Sequence, residues 1–190
     1  MRQTSSFLVG SMAAVLLSGC IPSFESEESP TRIYWLRPAP AQNATTTKVP
    51  VRVSVVPGLD SDHIWILQRD QRLNYYAGAH WPDTLRPLLQ SVLERSIVHS
   101  ASTPAELSFE ILIERFFSVE TTAQEAPRIE LRARISRSER GSASCVFEAS
   151  SNPSTGRLRD IVAAHQAVID QLAEEVARLA SLAASNQAAC

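Results

Sequence analysis

Two carboxylates and an imidazole fall within four consecutive residues, Asp60-Ser61-Asp62-His63. Such hard donors suit a divalent cation. A turn between strands explains the same residues through Asx hydrogen bonds to the backbone, and a metal would need ligands from elsewhere that the sequence does not locate. The turn is the reading adopted, with no metal ligand assigned. His63, His80, His99 and His165 each lack a recognisable partner spacing, and there is no G-x-S-x-G elbow, no H-E-x-x-H pair and no phosphate-cradling glycine loop. Catalysis has no positive support: the expectation is a protein that is not an enzyme and needs no cofactor.

Contact chemistry has more candidates. Arg128, Arg132, Arg134, Arg137 and Arg140 cluster on one hairpin, and Arg132 and Arg134 are the candidate contacts for anionic headgroups or an acidic partner surface. Glu130 and Glu139 interrupt the run, and cross-strand pairing with Glu110 and Glu114 would make it a solvated face. Tyr75, Tyr76 and Trp81 are candidate partner or lipid contacts, because large amphipathic aromatics concentrate at interfaces. They would equally plug a strand-to-helix corner, where such rings usually pack.

The first twenty residues set the compartment. Arg2 gives a short positive start, Phe7 to Leu17 is apolar, and Leu17-Ser18-Gly19-Cys20 closes with small residues before a cysteine. That tetrapeptide looks like a bacterial lipobox, cleaved between Gly19 and Cys20, with Cys20 carrying the lipid. The apolar run is shorter than the ~20 residues a spanning helix needs. Residue 21 is Ile21 rather than the aspartate that favours inner-membrane retention in enterobacterial lipoproteins, so the expected location is the periplasmic face of the outer membrane. The domain reading is a signal peptide over 1–19, a lipidated flexible tether over 20–30, a folded domain over 31–182 and a disordered tail over 183–190. The tether Ile21–Pro30 is polar and acidic and reaches at most about 35 Å. Of the remaining cysteines, Cys145 shares its register with inward-facing Phe147 and Cys190 ends the tail; an oxidising envelope permits their pairing, but a buried inert thiol and a free terminal one is the reading adopted.

A chain of 190 residues, 44% of them hydrophobic, supports one domain with a real core. A formal charge of −2 and a pI near 6.1 give no electrostatic case for nucleic acid. Strands are expected over Thr31–Leu36, over Val49–Val56, and as a hairpin of Ile64–Leu67 with Leu73–Tyr76 around a polar tip. Gly78 is read as a turn and Asp83 as the N-cap of a helix whose stripe is Leu85, Leu88, Leu89, Val92, Leu93 and Ile97; Pro87 is discordant there. Three alternating segments, around Leu107–Glu114, Ile129–Ser136 and Ala143–Ala149, make an antiparallel meander. A second long amphipathic helix starts at Leu158. The expected class is α+β: a mainly antiparallel sheet with two long amphipathic helices packed on one face and its charged face open.

At this point the chain resembles the ABC-type transport auxiliary lipoproteins, also called PqiC-like lipoproteins. The likeness rests on the lipobox at Cys20, Tyr34-Trp35-Leu36, Pro57-Gly58-Leu59-Asp60 running into Ile64, the joint from Leu73-Asn74-Tyr75-Tyr76 to Trp81-Pro82-Asp83, and the long closing helix. It implies an outer-membrane lipoprotein that serves as an auxiliary or docking component for an MCE-domain protein in an ABC-type system moving phospholipid or other hydrophobic cargo. It also implies assembly as a homo-oligomeric ring. The alternative is a periplasmic lipid-binding carrier or a structural envelope lipoprotein.

Overall fold

The computed structural model describes residues 30–38, 46–100, 107–122, 125–137 and 144–184, with backbone alone at 46–48, 98–100 and 184. The expected signal peptide, the lipobox-like segment with Gly19 and Cys20, nearly all of the expected tether, Arg140 and Cys190 lie outside these residues. Eleven elements follow in order: β1 (Arg32–Ile33), β2 (Thr46–Lys48), β3 (Val51–Val55), β4 (His63–Leu67), β5 (Leu73–His80), α1 (Leu85–Ser96), β6 (Val98–Ser100), β7 (Phe109–Val119), β8 (Arg128–Arg137), β9 (Ser144–Ser151) and α2 (Leu158–Ala184).

Seven strands form one sheet, in the order β1-β5-β4-β7-β8-β9, with β3 also on β7. The strand β7 is long enough to take two neighbours on one edge: β3 runs parallel along Phe109–Ile113 and β4 parallel at Ser118–Val119. The other edge of β7 carries the expected antiparallel meander through β8 to β9. The class is therefore α+β, and the sheet is mixed rather than uniformly antiparallel, since β1 is also parallel to β5. Sequence reading missed these pairs because two parallel strands need not be neighbours in sequence. A separate ribbon pairs β2 with β6.

One face of the sheet holds the core. Ile64, Ile111, Ile113, Phe116, Ile129, Leu131, Ala133 and Ile135 are buried with the α1 stripe and with Ile161, Val168, Ile169, Leu172, Val176 and Leu179 of α2. All six residues of the expected α1 stripe are buried. A register shift between Ile113 and Arg115 puts Glu114 and Arg115 on the outside together and returns Phe116 to the core. Without it regular alternation would turn Phe116 to solvent and Arg115 into the core.

Two glutamines pair backbone groups that lie outside the strand ladders. The Val53 N–H donates to Gln90 Oε1 at 2.6 Å while Gln90 Nε2 donates to the Val51 carbonyl at 2.5 Å, so α1 covers the free edge of β3. On α2, Gln166 makes the same two-way contact with the Arg37 backbone, at 2.7 and 2.8 Å. The first strand is correspondingly short: after Arg32–Ile33 the chain leaves the ladder, exposing Trp35 and burying Leu36.

Candidate functional site

The strand-to-helix joint is built by a loop from another part of the chain. Leu59 is buried, and the Leu59 N–H closes a turn onto the Val56 carbonyl. The helix N-cap is Thr84, not the expected Asp83, and it makes no side-chain cap. Capping comes instead from Asp60, whose Oδ1 accepts the Arg86 N–H at 3.0 Å while Oδ2 lies 3.3 Å from the Arg86 guanidinium. The Ser61 carbonyl accepts the Leu85 N–H at 3.1 Å. Pro87 is then the third helical residue, where a missing N–H forfeits no bond within the helix.

The same loop places Asp62. Its carbonyl accepts the Trp81 N–H at 2.7 Å, which fixes the loop against the end of β5. Its two carboxylate oxygens lie 3.1 Å from His63 Nδ1 and 3.0 Å from His80 Nδ1. The His80 contact is a hydrogen bond, whereas His63 Nδ1 is buried without one of good geometry. Sequence reading left His80 without a partner, and the hairpin register explains why. Trp65 pairs with Tyr75, and a regular ladder would set His63 against Ala77; extra residues in β5, with Gly78 at φ 69°, set it against His80. The expected turn at Gly78 is thus a bulge inside β5.

Aromatic rings surround this cluster on the outer face. The His63 ring centroid is 4.3 Å from that of Tyr75 and 5.5 Å from that of Trp65, and Trp65 meets Tyr75 edge-on at 6.0 Å. Ile33 pairs with His80 in the ladder, so its side chain shares that face. Exposure is high at Ile33 (58%) and Tyr75 (46%), and Trp35 just beyond β1 is 67% exposed. Next to this apolar end, β7, β8 and β9 present an ionic ladder. Arg132 bonds Glu114 at 2.9 Å and Glu148 at 2.5 Å, and Arg134 bonds Glu114 at 2.8 Å. Glu130 pairs with Arg128 and lies 3.7 Å from Arg115. A shallow pocket of about 270 Å³ opens among Arg115, Arg128, Glu130, Arg132 and Glu148.

The contact candidates therefore separate. Tyr75 is exposed, and Arg132 and Arg134 are on the open face but already paired with glutamates, as the solvated-face reading expected of Glu114. Tyr76 and Trp81 are not on the open face: both turn inward, as the corner-packing reading has it. Tyr76 is half-buried on the core side, burial pushes its phenol above its ordinary pKa, and its hydroxyl has no hydrogen bond of good geometry although Ser118 lies close. Trp81 is only 3% exposed and stacks on Phe116, with His165 edge-on to both rings. His165 is a packed residue, as expected: its Nδ1 bonds the Ile161 carbonyl at 2.9 Å, and burial lowers its pKa to about 4. Cys145 is a further correction. It is disulfide-bonded rather than a free thiol, with the partner sulfur outside the described residues.

No family profile and no curated protein matches the sequence. Solved structures do match. One is a Xanthomonas campestris protein of the family DUF330, 22% identical, with a TM-score of 0.57 over 76% of this chain and 92% of its own. Another is a protein described only as uncharacterized, 14% identical, with a TM-score of 0.58 over 79% of this chain and 98% of its own. At these identities the likeness is one of fold. No helix among the described residues is long and apolar enough to cross a membrane.

Proposed function

We propose that this chain is a lipid-anchored envelope protein that docks a partner of an MCE/ABC-type transport system for phospholipid or other hydrophobic cargo. The observation that carries the reading is the open sheet face, where Ile33, Tyr75 and the adjoining Trp35 stand exposed beside a paired Arg–Glu ladder. An apolar patch at the β1–β5 edge of the sheet, flanked on its β7 side by paired charges, has the composition of a protein contact surface. Two further features support it. The lipobox at Cys20 precedes Ile33 by a short tether, and the fold is shared with a DUF330 protein, DUF330 being the PqiC-like family. The role offered is surface and anchorage rather than chemistry.

Photoreactive residues placed in turn at Tyr75, Trp35 and Arg134 in intact envelopes should capture an MCE-domain protein, whereas the inward positions Tyr76 and Trp81 should not. Adducts only with lipid or only with the same chain would replace docking by a carrier or a self-assembled role. Cys20→Ala should release the chain from membranes into the soluble fraction and abolish its contribution to lipid homeostasis. Full function from the soluble variant would end the anchoring part of the reading.

A further inference from the structure

We propose that Asp62, His63 and His80 form a binding site for a divalent transition-metal ion of the Zn²⁺ class. One ligand atom from each lies within 4.8 Å of the other two. The contacts of 3.0 and 3.1 Å from the carboxylate to the two Nδ1 atoms approach the separation of about 3.3 Å that ligands at Zn–N and Zn–O bond lengths adopt around a tetrahedral ion. Small rotations would bring the three donors to one centre. Two imidazoles with one carboxylate disfavour Ca²⁺ and Mg²⁺, which take oxygen donors, and favour Zn²⁺ and its neighbours.

Three properties separate this cluster from a chance grouping. His63 Nδ1 is buried and has no hydrogen bond of good geometry, so an available donor atom faces the centre. The ligands are fixed independently: Asp62 by the Trp81 N–H, His63 by the Ser61 side chain, which accepts its N–H at 3.3 Å, and His80 by the ladder. The register shift in β5, with positive φ at Gly78, is what brings His80 opposite His63 at all. Side-chain exposures of 46% at Asp62, 29% at His63 and 26% at His80 leave the site open to an ion and to a water as fourth ligand. The inference stands apart from the docking role, and either can fail alone.

The test is titration of the tag-free full chain in detergent, stripped by chelator, with Zn²⁺ alone. One ion per chain with a micromolar or tighter Kd is expected, and Co²⁺ in its place should give the intense visible absorption of a four-coordinate ion. His80→Gln and Asp62→Asn should each weaken binding by about tenfold or more, with Asp70→Asn, at the hairpin tip, as an unchanged control. In the wild type, the ring resonances of His63 and His80 should shift on adding Zn²⁺ while those of His165 stay put. That arm needs no variant to fold. Failure of the wild type to take up one ion, shifts confined to other residues, or uptake unaffected by H80Q and D62N in folded protein would each overturn the proposal.

Discussion

Burial disfavours the charged form of His165. Its buried ring meets those of Trp81 and Phe116 edge-on at 5.6 and 5.0 Å, and its Nδ1 bonds a helix carbonyl. Burial lowers its pKa from 6.5 to about 4, so below pH 6.5 the unfolded chain takes up a proton that the folded chain refuses. The contribution of this residue is therefore fully present above pH 6.5 and is lost as pH falls toward 4, by about 3 kcal/mol in all. Urea unfolding of the wild type should show that slope between pH 6.5 and 4; a folded His165→Gln variant should lack it. Asp60 acts at the same scale but on the surface. Asp60→Ala removes the acceptor of the Arg86 N–H and should cost about 1 kcal/mol in urea unfolding, the usual worth of a cap, while Asp83→Ala should cost less because the Asp83 side chain bonds only the neighbouring Thr84 N–H. An unchanged midpoint for Asp60→Ala would show that the Ser61 carbonyl suffices.

Elements with a strong period were legible in the sequence. Ile129, Leu131 and Ile135 are buried where alternation placed them, and of the expected α2 stripe Ile161, Val168, Ile169, Leu172, Val176 and Leu179 are buried while Val162 is half-buried. The candidate site was less legible because its geometry depends on non-local register. Nothing within Leu73–His80 announces a register shift except Gly78, and a glycine in that setting reads equally as a turn. The capping by Asp60 was hidden similarly: local sequence offers Asp83, whereas the acceptor comes from 26 residues away. Trp81 and Tyr75 share a motif but face opposite ways, which only the strand register decides. Gly78→Ala places a Cβ at φ 69°, a backbone region costing L-residues about 1–2 kcal/mol. The variant should be destabilised by that amount, and its His63 and His80 ring resonances should move; loss of stability without such movement would mean that the bulge does not set their pairing.

At the scale of the molecule, β7 is the strand on which the rest converges: it pairs with β3, β4 and β8. A polypeptide ending before Phe109 would possess β3, β4, β5 and α1 but no strand to align them. Such a fragment should give no dispersed amide spectrum, and a folded one would show that the hairpin and α1 are self-sufficient. The pairing of Val51 with Phe109 and of Ile66 with Ser118 closes long loops in the chain, whose entropy must be lost before the contacts form. High contact order of this kind slows folding. The strands β7, β8 and β9 follow one another closely in sequence and should assemble first, serving as the template onto which earlier-synthesised strands dock. The order of folding would then run against the order of synthesis, leaving the N-terminal half of the chain dependent on chaperones until residue 119 and beyond have emerged.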